Sequence, residues 1–185
     1  SLEYHVQGNH LLENAFALYF AAHLFPENKK LTSKAIKVLK EQLNEQIMED
    51  GAHYERSFMY HNIILGRLLE SISLSVSNPF IWNKEPLHFL QGKAQRMIKW
   101  MKTISNNGKI FVRFNDSVEG IAPKYEELMM LASELFPEIE NDIKLDDSGY
   151  IIWQLDNFFL TMNIGEITPK YQPGHSHADT LSFTV

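Results

Sequence analysis

Three side chains that can bind a metal ion or transfer a proton stand at alternate positions near the end of the sequence. His175, His177 and Asp179 lead into an alternation of apolar and polar residues that runs to Val185. Because side chains in an extended chain repeat every second residue, the three would share one face of a strand. A zinc site needs three or four ligands. In this segment His177 is the candidate zinc ligand and Asp179 a weaker one, so any further ligand would lie beyond Val185. The pattern favours metal binding or catalysis over two histidines in a solvated loop.

A second group opens the first apolar segment of the chain. Asn9 and His10 place an amide and an imidazole where a helix should begin. Backbone N–H groups and the helix dipole at such an end attract anions, so the pair could bind an acidic group. Glu13 lies one helical turn further, within reach to orient either residue. The alternative is that Asn9 is only the N-cap and that His10 merely occupies the first turn.

The third group lies in residues 50–61, which are dense in titratable and hydrogen-bonding side chains. Tyr60 is the residue of interest, because a phenol with an ordinary pKa of about 10 needs a positive or hydrogen-bonding environment to act as a base. Arg56, four residues earlier, and His61 are the candidates for supplying part of that environment. The alternative is a capped helix start with solvated charges and an aromatic staple.

Helices must position the second and third groups. The first helix is apolar on nearly every side, which predicts that it is buried all round. The second is clearly amphipathic, with Thr32 or Ser33 as its expected cap. The apolar periodicity of the chain predicts five helices, over residues 9–25, about 32–50, a third ending before Asn78, about 85–105 and about 123–136.

The pattern changes near Leu145. Residues 150–155 and 158–164 are rich in aromatic and β-branched side chains and predict a hairpin, and residues 180–185 predict a third strand. We therefore expect a helical domain over residues 1–145 and the start of a β domain over residues 146–185, a fold that is mainly α and then β. Three strands without visible partners would leave an open edge. This predicts that the chain is a piece of a longer one, or that the edge pairs with another copy.

Composition narrows the class of protein. The chain has 185 residues, a formal net charge of −6 and no block of lysine or arginine, so it lacks the electrostatic footprint of a nucleic-acid-binding protein. It has no cysteine, which excludes disulfides and thiolate metal sites. No apolar stretch is long enough to predict a membrane span, and the first residues do not have the pattern of a secretory signal.

Three segments occur in a characteristic order across nearly the whole chain. They are residues 8–14 (GNHLLEN), residues 50–61 (DGAHYERSFMYH) and residues 174–183 (GHSHADTLSF). Together they resemble the heparinase II/III-like polysaccharide lyases, a family that includes alginate and oligoalginate lyases. Residues 115–117 (NDS) also look like a loop of this family. Phe58 stands where many members have proline, a departure that bears on the geometry at the start of the third helix.

The resemblance implies a fold and a position within it. The fold is an incomplete (α/α) toroid followed by a large antiparallel β-sandwich, with the inner helices of the toroid lining a cleft that the β domain closes. The chain would hold the C-terminal part of the toroid and only the first strands of the sandwich. This agrees with the unfinished sheet expected from the strand pattern.

The resemblance also implies cleavage of a uronic-acid-containing polysaccharide by β-elimination. The C5 proton becomes acidic only when the adjacent carboxylate is neutralised, the role expected of Asn9 and His10. A base then removes that proton while an acid protonates the departing O4 oxygen. By motif position Tyr60 is the acid and also a candidate base, and His175 is the alternative base. The product carries a 4,5-unsaturated uronate, and no water is consumed.

The remaining assignments also follow from the resemblance. Glu13, Arg56 and His61 are expected to contact the substrate, and His177 is expected to bind a structural zinc ion in the β domain, with no organic cofactor. The partner is an acidic polysaccharide or oligosaccharide, and the protein is expected to be bacterial and periplasmic or secreted. Residues 1–185 alone are expected to show little or no activity.

Two other functions remain open at this stage. One is a non-catalytic carbohydrate-binding or scaffold relative of the same fold, and the other is a helical interaction module whose resemblance is superficial. The ultraviolet absorbance of an unsaturated uronate distinguishes them from a lyase. A binding protein would show affinity without that absorbance, and an interaction module would show neither.

Overall fold

The computed structural model describes residues 8–79, 84–139, 143–155, 157–166 and 181–185. Within these ranges the chain forms a helical part followed by an antiparallel sheet, as the sequence predicted. The elements are α1 (Asn9–Leu24), α2 (Lys29–Gln46), α3 (Phe58–Ser77), α4 (Lys84–Ile104), α5 (Tyr125–Leu135), β1 (Tyr150–Leu155), β2 (Phe158–Asn163) and β3 (Phe183–Thr184).

Helix α3 is the centre of the helical part, since it packs against α1, α4 and α5, while α2 covers α1 and also touches α4. Its apolar side chains lie in one continuous core with those of its neighbours. Ser57 begins the helix by accepting a hydrogen bond from the backbone N–H of Tyr60 at 3.2 Å. This cap makes Phe58 the first residue of α3, directly after the segment of residues 50–57.

Two predictions about the first helices are wrong. Helix α1 is not buried all round in the described chain, because His10, Ala17 and Leu24 are exposed on the side away from α2 and α3. Because apolar residues such as Ala17 and Leu24 also occur on the exposed side, the sequence did not distinguish the exposed face of α1 from the buried one. Helix α2 begins one turn earlier than expected, where Asn28 accepts a hydrogen bond from the N–H of Leu31 at 3.1 Å.

The loop between α2 and α3 lies tightly against α4. Gly51 has a φ of 86°, and a Cβ atom at this position would collide with the backbone carbonyl of Arg96. Asp50 is buried and accepts hydrogen bonds from the N–H groups of Ala52 at 3.1 Å and Ser148 at 2.7 Å. The carboxylate therefore joins this loop to the segment that leads into the sheet.

The sheet has the order β1-β2-β3 with antiparallel neighbours, and Tyr150 pairs with Asn163 at its buried end. Tyr150 is buried and stacks edge-on against Trp100 of α4, with ring centroids 5.9 Å apart. Further along β1, by contrast, Trp153 is 61% exposed and Leu155 74% exposed. The end of the hairpin where Tyr150 pairs with Asn163 is thus buried against the rest of the chain, whereas the residues near its turn are exposed.

Among the described residues, none of the helices combines the length and the apolar character needed to span a bilayer.

Candidate active site

Tyr60 lies in the first turn of α3, where the start of the helix meets the loop at residues 115–117. The hydroxyl of Ser57 donates to the backbone carbonyl of Asp116 at 2.7 Å and lies 3.0 Å from the hydroxyl of Ser117. The phenol of Tyr60 donates to Oδ2 of Asp116 at 3.3 Å. The residue that caps α3 is therefore hydrogen-bonded to the residue that accepts the hydrogen bond of the phenol.

Two carboxylates of the described residues act on Tyr60. Burial, the Asp116 carboxylate and the Glu55 carboxylate, in that order, raise the pKa of the phenol above its ordinary value, and the hydrogen bond to Asp116 acts in the same direction. Each charge disfavours the phenolate because it repels a second negative charge. In this arrangement the protonated phenol of Tyr60 donates a hydrogen bond to Asp116.

Glu55 connects Tyr60 with the start of α1. Its side chain is fully buried, and Oε1 accepts a hydrogen bond from the backbone N–H of Asn9 at 3.3 Å. Gly8, with a φ of 83°, occupies the N-cap of α1, so Asn9 is the first helical residue and not the cap. A carboxylate from the segment before α3 thus satisfies an N–H group that the cap leaves open. The backbone of Asn9 and the phenol of Tyr60 thus both interact with one carboxylate, and the side chain of His10, next to Asn9 in sequence, is exposed.

His61 does not contribute the positive charge that the sequence suggested. The ring is fully buried, with Nε2 at 3.0 Å from the carbonyl of Met97 and Nδ1 at 3.3 Å from the N–H of His53. Burial lowers its pKa to about 3, and the bond to Met97 only partly opposes this. His61 is therefore neutral, stacked 4.4 Å from the ring of Trp100, and not placed to contact a substrate.

Arg56 joins three parts of the structure. Its backbone has a φ of 55°, and its carbonyl accepts from Asn115 Nδ2 at 3.0 Å and from the Tyr150 hydroxyl at 2.8 Å. Its guanidinium donates to the carbonyl of Glu166, and the residue is buried. The described contacts of Arg56 are structural, and contact with a substrate stays a prediction.

Glu13 orients an arginine and not the Asn9–His10 pair. Its carboxylate lies 3.5 Å from Nε of Arg67 on α3, and Arg67 also bonds Glu70 at 3.0 Å. Burial raises the pKa of Glu13, and the charge of Arg67 partly offsets the shift. Contact of Glu13 with a sugar stays a prediction.

Arg67 belongs to a cavity that the sequence analysis missed. The cavity has a volume of about 570 Å³ and is lined by Ile63, Arg67 and Glu70 of α3 together with Lys124 and the loop before α5. Tyr60, Ile63 and Arg67 stand at i, i+3 and i+7, so they follow one another along one face of the helix. This spacing is the sequence signal for the face of α3 that lines the cavity.

The histidine-rich segment lies outside the described residues. His175, His177 and Asp179 fall within residues 167–180, so their expected roles as base and zinc ligand stay predictions. In the parts of the chain that the structure describes, no group of three or more histidine, aspartate or glutamate side chains could hold a metal ion.

Comparison with known proteins places these features in a family. Residues 1–144 match the family model "Heparinase II/III N-terminus", and residues 139–185 match "Heparinase II/III-like, C-terminal". A heparin-sulfate lyase of Bacteroides thetaiotaomicron is 32% identical over 123 residues, which is 62% of this chain and 17% of that protein.

Two solved structures share the fold. A crystal structure of heparinase III superposes with a TM-score of 0.72 at 22% identity, covering 96% of this chain and 33% of its own. A second heparinase III structure also gives 0.72 at 21% identity, covering 98% and 31%. The chain thus spans about a third or less of the length of these relatives. The described arrangement has the fold of the corresponding third of heparinase III, and the chain belongs to the heparinase II/III family of polysaccharide lyases.

Proposed function

We propose that this chain holds part of the catalytic cleft of an enzyme that cleaves a uronic-acid-containing polysaccharide by β-elimination. The observation that carries the proposal is the buried Glu55, which accepts the N–H of Asn9 and also acts on the phenol of Tyr60. Residues that the sequence places 51 positions apart are thereby drawn to one carboxylate. The family membership makes polysaccharide cleavage the natural chemistry for such a site.

The proposed substrate is an acidic polysaccharide. The relative named heparin-sulfate lyase suggests a glycosaminoglycan, and alginate is the alternative uronate polymer. Asn9 and His10, at the positive end of the α1 dipole, would bind the uronate carboxylate and stabilise the enolate-like intermediate. Tyr60 would protonate the departing O4 oxygen, and His175 is proposed as the base that removes the C5 proton.

The test uses the full-length protein with heparan sulfate, hyaluronan and alginate in turn. We expect ultraviolet absorbance of the unsaturated uronate to rise with one of them. Tyr60→Phe should lower that rate by about a hundredfold or more, the range for loss of a general acid, with little change in substrate affinity. Tyr125→Phe, which removes a phenol hydroxyl from α5, is the matched control and should stay near the parent rate.

The outcomes separate the alternatives. Affinity for an acidic polysaccharide without any rise in absorbance would identify a non-catalytic carbohydrate-binding relative. A Tyr60→Phe variant that turns over at the parent rate would remove Tyr60 from the mechanism.

Two further proposals rest on the C-terminal motif and the family. His177 is proposed as a ligand of a structural zinc ion, tested by metal analysis of the purified full-length protein and its His177→Ala variant. Equal zinc content in both would exclude His177 as a ligand. A periplasmic or secreted location is tested by cell fractionation.

A further inference from the structure

The cavity beside Arg67 is lined by the face of α3 that begins with Tyr60. Its volume of about 570 Å³ lies within the range of about 300–1,000 Å³ that small-molecule sites occupy. The part of the lining that α3 supplies runs from Ile63 to Glu70, about 4.5 to 15 Å of helix rise beyond Tyr60. A polymer whose reacting bond lies at Tyr60 can therefore place a neighbouring sugar unit in this cavity.

Carboxylates of two helices hold the guanidinium of Arg67. Nε lies 3.5 Å from Oε2 of Glu13 on α1, and Nη1 donates to Oε2 of Glu70 on α3 at 3.0 Å. Among the residues that the structure describes, Nη2 has no hydrogen-bond partner. Because the guanidinium is planar and rigid, the two contacts also fix the direction in which the N–H groups of Nη2 point.

The carboxylates that line the cavity keep one oxygen each for a ligand. Glu70 binds Arg67 through Oε2, and Glu127 accepts the backbone N–H of Lys124 through Oε2 at 2.9 Å. Within the described part of the chain, Oε1 of either carboxylate makes no hydrogen bond. The side chains of Arg67, Glu70 and Glu127 are exposed, so a ligand can reach these atoms.

The charges that line the cavity balance. Two positive and two negative side chains contribute: Arg67, Lys124, Glu70 and Glu127. Glu13 adds a further carboxylate beside Arg67. A sulfate or a carboxylate only accepts hydrogen bonds and would be repelled by these carboxylates, whereas a hydroxyl both donates and accepts. Neighbouring sugar hydroxyls could accept from Nη2 and donate to the free carboxylate oxygens, so the cavity fits hydroxyl groups better than a second anion.

We infer that this cavity is a sugar-binding subsite beside the reacting uronate, and that Arg67 positions the bound sugar unit by donating to its hydroxyl groups. The inference rests on the proposed lyase function and deepens it, because it assigns a specificity-determining residue that lies away from the reacting atoms. Arg67 then acts on the affinity for the polymer and not on proton transfer. The alternative role is a surface ion pair, which contributes little to stability.

The first experiment measures binding by isothermal titration calorimetry. It uses the full-length protein carrying Tyr60→Phe, so that turnover does not consume the ligand, and the probe is a tetrasaccharide of unsulfated heparan. Adding Arg67→Ala should weaken binding by about ten- to a hundredfold, the range for losing a hydrogen bond to a charged group. Arg96→Ala is the matched control, because Arg96 of α4 also forms an ion pair, with Glu49 at 2.7 Å, but does not line the cavity. It should leave the Kd unchanged.

A second measurement separates a bound hydroxyl from a bound anion. Glu70→Gln keeps an acceptor oxygen but removes the charge. It should weaken binding of the tetrasaccharide severalfold, because a carboxylate is the stronger acceptor, whereas a cavity that held an anion would bind it more tightly. The loss caused by Arg67→Ala should also be the same at low and at high salt, because a hydroxyl carries no charge for salt to screen.

Four results would overturn the inference. They are absence of tetrasaccharide binding, unchanged affinity in Arg67→Ala, tighter binding in Glu70→Gln, and a loss in Arg67→Ala that disappears at high salt. A lower midpoint of thermal unfolding in Arg67→Ala with unchanged affinity would assign the residue to a structural ion pair. Failure of the proposed lyase function is seen separately, as absence of unsaturated uronate from every polymer when Tyr60 is intact. The calorimetry decides on the cavity without turnover.

Discussion

The buried imidazole of His61 makes folding stability depend on pH in a calculable way. Nδ1 accepts the N–H of His53 at 3.3 Å, and Nε2 donates to the carbonyl of Met97 at 3.0 Å, so the neutral ring has both nitrogens satisfied. A proton on Nδ1 would place two N–H groups against each other in a site without access to water. Burial accordingly lowers the pKa of His61 from 6.5 to about 3.

The direction of the effect follows from proton binding in the two states. Between pH 6.5 and about 3 the unfolded chain binds a proton at His61 that the folded chain does not, so acid favours the unfolded state. The contribution is complete above pH 6.5 and is lost progressively as the pH falls. At pH 5 the difference from 6.5 is 1.5 pH units, which at about 1.4 kcal/mol per unit corresponds to about 2 kcal/mol.

The measurement is urea unfolding of this chain and of His61→Gln at intervals from pH 8 to pH 5. The variant should be less stable at pH 8, because it loses the stacked ring, but it should lose about 2 kcal/mol less than the parent on acidification. Burial also lowers the pKa of His23, which both proteins retain, so its contribution cancels in the comparison. His88→Gln removes an exposed histidine of α4 and should follow the parent curve. Parallel pH curves for the parent and His61→Gln would refute the buried neutral histidine.

Two further substitutions test how the loop before α3 is held. Gly51→Ala should destabilise the chain by at least about 2 kcal/mol, because it adds a collision to a left-handed backbone, whereas Gly92→Ala in the open middle of α4 should stabilise it by about 0.5 to 1 kcal/mol. Equal midpoints in denaturant for these two variants would contradict the conformation of Gly51. Asp50→Ala should cost about 2 to 4 kcal/mol, because the buried N–H of Ser148 loses a charged acceptor, and Asp147→Ala on the neighbouring exposed turn should cost little. A small effect of Asp50→Ala in thermal unfolding would show that the loop and the sheet are joined by other contacts.

Local patterns predicted most of the secondary structure, because the signals that begin and end an element lie within it. The hairpin of β1 and β2 was predicted within one residue, since aromatic and β-branched runs flank a polar turn. The cap of α2 was misplaced because asparagine, serine and threonine all serve as caps, and Asn28 precedes the expected Thr32 by one turn.

The sequence predicted those parts of the candidate site whose residues are close together in the chain, and it missed contacts between distant segments. Tyr60 was found from its segment, but its acceptor Asp116 lies 56 positions away, and only folding brings the two together. His61 was expected to supply part of the environment of the phenol because it follows Tyr60 in sequence, although consecutive residues of a helix point about 100° apart. Glu55 stood in a recognised segment, yet its bond to Asn9 depends on how α1 packs beside α3.

The start of α3 explains why the side chains of two adjacent residues, Tyr60 and His61, lie in different surroundings. Ser57 accepts the N–H of Tyr60 and thereby fixes where the helix begins, which sets the direction of every side chain after it. With that start, Tyr60 points toward the loop and His61 into the core against Trp100. A start displaced by one residue would turn both side chains by about 100° around the helix axis. The same hydroxyl donates to the carbonyl of Asp116. One serine therefore sets both the direction of the phenol and the position of the residue that accepts its hydrogen bond.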